Sequence, residues 1–321
     1  MGATFTAEEI MELTEARIAL GMMHEEDGRI CTDTRELEEG DWFLALRGEE
    51  YDGHDFLGEA FSAGAIGCIV EERTSYPIAS TSFPLLAVQH TDDALKKLAR
   101  NWRKRINPRV ALVPNDDALE IIFSKLRKEC ERRFAERFVT LDSVETTEML
   151  AQLLLMPAET KVVLGRYQLE HFEEVEFLGD AALPNVVLMT GESIRRFRIQ
   201  LSDSDMAGLS FSIMPTLKLH HGLLLVDSNF YDQLLAKVDP DFLDNVVVFG
   251  SALTDSEMAR LSALKNDAPV PFVRPAGPPE RLIAMIRSAS EFAANAAPSS
   301  DQTDIYELVG MILQMLGIEH L

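Results

Sequence analysis

The hydrophobic positions of the chain form short runs of Val, Leu and Ile that alternate with amphipathic segments. In the first hundred residues, the runs at 41–47, 65–70 and 84–89 predict strands. The segments at 54–63 and 92–105 have the spacing of helices that cover one face of a sheet. This alternation predicts an α/β domain in the first part of the chain.

A helix is also predicted over residues 6–20. Thr6 is a suitable N-cap, and Glu9 three residues later completes the pattern of a capping box. Apolar positions such as Ile10 and Ile18 would then cover one side of this helix.

The second part of the chain repeats the alternation with more uniformly apolar strands. Such runs are typical of strands that are buried on both faces of a parallel sheet. The predicted strands are 109–114, 137–142, 161–165, 185–191, 222–228 and 245–250. The predicted helices between and after them are 117–136, 144–155, 171–181, 255–265 and 280–294. The fold class is therefore α/β in both parts of the chain.

The sequence suggests two domains and a tail. The first domain ends at the Asn107-Pro108 step, so we assign 1–107 to it and 108–294 to the second. Residues 295–321 are predicted to be a flexible linker followed by an apolar helix at 305–318. This helix is either part of a core or a docking site for a protein partner.

Composition narrows the class of protein further. The chain has 30 Lys+Arg and 53 Asp+Glu, a formal net charge of −23, which argues against nucleic acid as a partner. No apolar run approaches the roughly 18 residues of a membrane span, and the N-terminus lacks a signal peptide's pattern. Cys31, Cys68 and Cys130 fit no zinc spacing and are typical of reduced thiols. We therefore expect a cytoplasmic protein.

Residues 31–72 concentrate glycines, hydroxyl groups and an arginine around one predicted strand. Hydroxyls, backbone amides near glycines and a guanidinium group together can hold a phosphate or a nucleotide-sugar head group. The alternative is that these residues form only turns and a helix cap. The candidate ligand-binding residues are Thr34, Arg35, Gly48, Asp52, Gly53 and His54.

The same stretch resembles the N-terminal domain of the Mur ligases, and within that family most nearly the MurF ligases. The elements D-T-R, G-D-W-F-L-A-L-R-G and D-G-H-D-F begin at Asp33, Gly40 and Asp52, and the span from Ala60 to Ala65 follows in the family's order. The resemblance implies a domain that binds a UDP-linked sugar-peptide in peptidoglycan synthesis. It also implies a mostly parallel, P-loop-like central domain for ATP. The family's C-terminal ligase domain is expected to be missing.

The segment after the first strand of the second domain departs from the family's pattern. The family has T-G-S-N-G-K-T-T there, in which glycines let backbone N–H groups approach phosphate and lysine neutralises it. This chain has Pro114, Asn115, Asp116, Asp117 and Ala118 instead. Proline removes an N–H donor, and two aspartates repel an anion. We predict a degenerate ATP site and expect neither ATP nor Mg²⁺ as a cofactor.

Three further positions of the family's catalytic apparatus differ. The family's glutamate falls at Val163 and its metal-binding histidine near Ile194. The segment 202–216, where the family has a lysine that becomes carbamylated, contains no lysine. We therefore predict neither a catalytic residue nor a metal site.

These observations favour a catalytically inactive, MurF-like protein that binds a UDP-MurNAc-peptide or a related nucleotide sugar, or that acts as a regulator or scaffold. One alternative is a genuine ATP-dependent amide ligase that is completed by a partner chain. Another is a protein-interaction module that has kept only the fold.

Overall fold

The structure is a computed structural model. It describes residues 2–48, 51–73, 75–78, 82–115, 119–143, 145–168 and 172–189, together with 223–227, 246–249, 309–310, 312–313 and 316. By its contacts, the chain forms two compact units. Unit 1 comprises Met1–Asn107 and Glu145–Thr160, and unit 2 comprises Pro108–Val144 and Lys161–Leu321.

The described residues contain strands and helices in alternation. The strands are β1 (Thr4–Thr6), β2 (Arg17–Leu20), β3 (Asp27–Cys31), β4 (Trp42–Leu44), β5 (Gly67–Glu71), β6 (Leu85–Val88), β7 (Arg109–Pro114), β8 (Phe138–Leu141), β9 (Val162–Tyr167), β10 (Val186–Met189), β11 (Leu223–Asp227) and β12 (Val246–Phe249). The α-helices are α1 (Ala7–Thr14), α2 (Leu57–Ser62), α3 (Thr91–Ile106), α4 (Glu120–Phe134), α5 (Thr146–Leu155) and α6 (Phe172–Ala182). Short 3-10 helices cover Gly53–Phe56 and Ala135–Arg137.

Unit 1 is built on a six-stranded sheet in the order β1-β3-β4-β5-β6-β2. Its central strands β3 to β6 are parallel. The outer strands are antiparallel to their neighbours, since β1 pairs with β3 and β2 pairs with β6. The core on one face includes Phe43, Leu57, Cys68 and Leu85, which are buried. The α/β class that the sequence predicts for this part is confirmed.

The predicted helix at 6–20 is only half correct. Thr6 and Glu9 do form the capping box: Oγ1 of Thr6 accepts from the Glu9 N–H, and Oε2 of Glu9 accepts from the Thr6 N–H. However, α1 ends at Thr14, since Glu15 adopts a left-handed φ of 62°. The following residues form β2, because pairing with β6 outweighs the helical spacing of Ile18.

The two units of the structure differ in one segment from the two domains that the sequence predicts on either side of residue 107. Helix α5, assigned by sequence to the second domain, packs in unit 1. The Ala3 N–H donates to the Leu154 carbonyl at 2.7 Å, and Nε1 of Trp102 donates to the Met156 carbonyl at 3.0 Å. These contacts, and the buried apolar face of α5, explain why the chain returns to unit 1 before β9.

Unit 2 contains a fully parallel six-stranded sheet in the order β12-β11-β10-β7-β9-β8. Helix α4 covers one face through buried residues such as Phe123 and Leu126. Four residues of the predicted terminal helix 305–318 lie in the same core: Val309, Ile312, Leu313 and Leu316. Their burial favours a core role for this helix.

Several predictions lie outside the described residues, namely Asp116 to Ala118, the helices at 255–265 and 280–294, and the linker at 295–304. In the part of the chain that the structure describes, no helix is long and apolar enough to cross a membrane.

Candidate functional site

Unit 1 contains a cavity of about 1000 Å³. Three of the six candidate residues line it: Thr34 and Arg35 from the loop after β3, and Gly53 from the loop after β4. We call it the unit 1 cavity. Phe43, Leu46 and other apolar side chains form part of its wall. A shallower cavity of about 640 Å³ shares Thr34 and Arg35 with it.

Arg35 is held at the wall of the unit 1 cavity by Asp33. Nε and Nη2 of Arg35 donate to the Asp33 carboxylate at 2.5–3.0 Å, and the Arg35 N–H donates to Oδ1 at 2.9 Å. These hydrogen bonds lower the pKa of Asp33 and raise that of Arg35. The Arg35 side chain remains 87% exposed, so it presents a positioned cation to solvent and to the cavity.

Gly53 and Gly48 shape the loop after β4. The Gly53 N–H donates to the Leu46 carbonyl at 2.8 Å, and the Gly48 N–H donates to the Tyr51 carbonyl at 2.9 Å. A Cβ on Gly53 would lie 2.7 Å from the Leu46 carbonyl oxygen, which is closer than van der Waals contact allows. Gly53 therefore permits the close approach of two backbone segments. Gly48 contributes to the turn and is not among the residues that line the cavity.

His54, predicted from sequence to bind a ligand, has a fully buried side chain and is not among the residues that line the unit 1 cavity. Its Nε2 accepts from the Glu71 N–H at 2.8 Å, so Nδ1 carries the proton and donates to Oδ1 of Asp52 at 2.5 Å. Nη2 of Arg73 lies 3.1 Å from Nδ1, but it donates to Oδ2 of Asp52 at 2.7 Å. His54 thus ties the loop to β5.

Asp52, also predicted as a ligand-binding residue, serves the same structural network. It caps the 3-10 helix by accepting from the His54 N–H at 3.1 Å. Partial burial acts to raise the pKa of Asp52, but hydrogen bonds from Arg73 and His54 outweigh it and hold that pKa well below its usual range. The Asp52 carboxylate thus bonds to the side chains of His54 and Arg73. Asp52 is not among the residues that line the unit 1 cavity.

Helix α5 supplies a wall of the unit 1 cavity that we did not predict. Glu145, Thr147, Glu148, Ala151, Gln152 and Leu155 all face it. The helical period of α5 is visible in the sequence, but the residues against which this helix packs are distant in the chain. No local signal assigns this wall, because it depends on contacts with α3 and the N-terminal segment.

The charges around the unit 1 cavity are unbalanced. Among the described residues that line it, Arg35 is the one basic residue, whereas the carboxylates are Asp33, Glu36, Glu59, Glu145 and Glu148. Asp33 is paired with Arg35, and Glu36 and Glu59 add negative charge to the cavity.

Of the segment that the sequence predicts to be a degenerate ATP site, the structure describes Pro114 and Asn115. The Asn115 N–H donates to the Tyr167 carbonyl at 2.8 Å, so it is not free for a phosphate. Oε2 of Glu120, the first residue of α4, lies 2.5 Å from Nη2 of Arg166. The Glu120 carboxylate is thus already paired with a cation of the same unit.

No group of three or more His, Cys, Asp or Glu side chains that could hold a metal ion occurs among the described residues. Cys68 and Cys130 are buried, and burial raises the pKa of both thiols, that of Cys130 to about 12. Neither is suited to act as a nucleophile.

The motifs of unit 1 coincide with a match to a known family. Residues 29–103 match the family described as Mur ligase family, catalytic domain, and this span lies within unit 1. The resemblance predicted from the motifs is confirmed over these residues of unit 1.

The relatives that this chain matches include MurF ligases. The chain is 47% identical over 76 residues to the UDP-N-acetylmuramoyl-tripeptide--D-alanyl-D-alanine ligase of Synechocystis sp., covering 24% of this chain and 16% of the relative. The Bacillus subtilis ligase of the same name is 25% identical over 166 residues, which cover 51% of this chain and 36% of the relative. The chain therefore spans well under half of these relatives.

Solved structures of MurF show the same fold over a longer span. A crystal structure of MurF from Acinetobacter baumannii matches with a TM-score of 0.59 and 20% identity, covering 78% of this chain and 54% of that one. MurF from Thermotoga maritima in complex with ADP matches with a TM-score of 0.51 and 22% identity, covering 70% of this chain and 50% of that one. The predicted fold class, parallel α/β units of the Mur ligase type, is confirmed.

Proposed function

We propose that this protein is a MurF-like binding protein of peptidoglycan synthesis. Unit 1 binds a UDP-MurNAc-peptide or a related nucleotide sugar, and the chain does not carry out ATP-dependent ligation. The observation that carries the proposal is that Thr34, Arg35 and Gly53, all singled out by the family's motifs, line one cavity within unit 1.

The unit 1 cavity offers suitable groups for such a ligand. Nε and Nη2 of Arg35 bond Asp33, and Nη1 makes no hydrogen bond to the described residues, so it can donate to a phosphate oxygen. The hydroxyls of Thr32 and Thr34 add donors on the same loop. Phe43 offers an apolar surface for a sugar or a base.

The carboxylates of the unit 1 cavity limit the affinity for such a ligand. A diphosphate is attracted by Arg35 but repelled by Glu36 and Glu59. We therefore expect weak binding that tightens when salt screens this repulsion, since screened charges interact less.

The absence of ligation is supported by the geometry at the carboxyl end of the unit 2 sheet. The Asn115 N–H is bonded to Tyr167, and a carboxylate stands at the start of α4. A genuine ligase completed by a partner chain would need ATP to bind at this point or on the partner. Steady ATP turnover with UDP-MurNAc-tripeptide and D-alanyl-D-alanine in a reconstituted mixture would support that alternative.

Calorimetric titration with UDP-MurNAc-tripeptide tests the proposal. We expect binding by the full chain at ligand concentrations up to about 1 mM, weakened at least several-fold by Arg35→Met. The matched control is Arg17→Met, since Arg17 is also an exposed arginine of unit 1 but lies on the edge strand β2. Heat of binding that is absent at this concentration, or that is equally weakened by both variants, would overturn the proposal.

A further inference from the structure

The guanidinium group of Arg166 occupies a central position in unit 2. Arg166 lies on β9, which pairs with β7 on one side and β8 on the other. It is opposite Val113, one residue before the end of β7. Its side chain is only 16% exposed, and it reaches the carboxyl end of the sheet.

Arg166, on β9, contacts the segments that follow the two neighbouring strands β7 and β8. Nη2 lies 2.5 Å from Oε2 of Glu120 at the start of α4, and Nη1 donates to Oδ1 of Asn115 at 3.4 Å. Nε lies 3.8 Å from Oδ1 of Asp142, which follows β8. We call Arg166, Glu120, Asn115 and Asp142 the Arg166 cluster.

The ring of Phe123 completes the surroundings of this cation. The guanidinium carbon lies 4.0 Å from the ring centroid, which is within the range of a cation–π contact. Phe123 is itself buried in the core beneath α4. The Arg166 side chain is therefore fixed from one side by a core aromatic ring and from the other by polar groups at the sheet edge.

The Arg166 cluster stands where the family resemblance places the phosphates of ATP, between the end of β7 and the first turn of α4. In a phosphate-binding loop, backbone N–H groups and a cation from the protein surround an anion that the ligand supplies. Here the cation is Arg166, and the anions that meet it are Glu120 and Asp142 from the same chain.

We propose that Arg166 is an internal cation whose ion pairs with Glu120 and Asp142 replace the contacts that a bound nucleotide would make. Unit 2 is therefore stable without ATP. The carboxylate of Glu120 acts as the anion at the start of α4, where negative charge is favoured by the helix dipole. This inference concerns unit 2 alone and does not depend on what the unit 1 cavity binds.

Thermal unfolding of the full chain tests the inference, with and without about 5 mM ATP-Mg²⁺. At that concentration, a ligand of micromolar affinity raises the midpoint by several degrees, because it binds only the folded state. We expect a shift below about 1 °C for the wild-type protein. We expect Arg166→Met to lower the midpoint by roughly 4–10 °C, since it leaves carboxylates without their cation.

The matched control is Arg127→Met on the exposed face of α4, where Arg127 pairs with Glu131 at 3.4 Å. An exposed pair of this kind contributes little, so the midpoint should fall by less than about 2 °C. Combining Arg166→Met with Glu120→Gln should lower the midpoint by clearly less than the sum of the single changes, because both remove the same ion pair.

Three results would overturn the inference: stabilisation of the wild-type protein by ATP-Mg²⁺, an Arg166→Met midpoint equal to that of Arg127→Met, or additive effects of the Arg166 and Glu120 changes. If Arg166→Met does not fold, Arg166→Lys replaces it in the same comparison. Lysine keeps the charge but loses the planar fork, so an intermediate fall in the midpoint is expected. No fall would contradict the proposal.

Discussion

Nδ1 of His54 donates to Oδ1 of Asp52 at 2.5 Å, and this hydrogen bond orients the His54 ring within the loop after β4, so that its other side faces strand β5. The opposite ring nitrogen accepts from the Glu71 N–H at 2.8 Å. Since both ring nitrogens of His54 are used, the histidine of the family's D-G-H motif has a structural role in this chain. It fixes the loop in which Gly53 lines the unit 1 cavity.

Replacing His54 by alanine should destabilise the protein by about 2–4 kcal/mol, because it leaves a cavity and an unpaired Glu71 N–H. Urea unfolding measures the change. His90→Ala is the control, since His90 is exposed and its side chain does not cap α3. A His54 variant as stable as the His90 variant would contradict the structural role.

The stabilising effect of Asp52 should depend on pH. Its pKa in the folded protein is depressed from the ordinary value of 3.8, so its contribution is present above about pH 4 and is lost as the pH falls further. We expect Asp52→Asn to be less stable than the wild type at pH 7, with the difference shrinking below about pH 4. Unfolding free energies measured from pH 3 to 7 test this, and a constant difference would contradict it.

A methyl group at position 53 should disturb the loop after β4. The Cβ of alanine would lie 2.7 Å from the Leu46 carbonyl oxygen, so we expect Gly53→Ala to cost about 1–3 kcal/mol. Gly58→Ala is the matched control, because no atom lies within 4 Å of a Cβ there and Gly58 is inside α2. Helix propensity predicts that this control is neutral or slightly more stable. Thermal unfolding distinguishes the two, and equal midpoints would refute the close-approach argument.

Removing one carboxylate from the unit 1 cavity should strengthen the binding of an anionic ligand. Glu59 is exposed and lines the cavity, so Glu59→Gln should tighten UDP-MurNAc-tripeptide binding by roughly 2–5-fold at low salt. Glu12→Gln on α1 changes the net charge equally but is not among the residues that line the cavity. Calorimetry at 20 and 200 mM salt compares them. An unchanged or weaker affinity for the Glu59 variant would show that the cavity charge does not oppose the ligand.

The sequence predicted the strands of unit 2 and β4, β5 and β6 of unit 1, because short runs of Val, Leu and Ile in a parallel sheet are locally distinctive. It did not predict β1 and β3. It misassigned β2, since the pairing of Arg17–Leu20 with β6 is a long-range contact that overrides a local helical spacing. It also placed α5 in the wrong unit for the same reason.

The candidate residues fall into two groups in the structure. Thr34, Arg35 and Gly53 line the cavity, but Asp52 and His54 bond to each other and to Arg73 and Glu71. A motif identifies which residues matter without showing whether each one contacts a ligand or supports the loop. The role of Arg166 had no local signal, because its partners come from three separate segments of the chain.

The most direct test of the account compares the thermal stabilisation of the full chain by UDP-MurNAc-tripeptide and by ATP-Mg²⁺, each at about 1 mM. The account predicts that the nucleotide sugar-peptide raises the unfolding midpoint by at least about 1 °C, corresponding to a dissociation constant below the ligand concentration. It predicts no rise with ATP-Mg²⁺. Stabilisation by ATP-Mg²⁺ without stabilisation by the UDP ligand would contradict it.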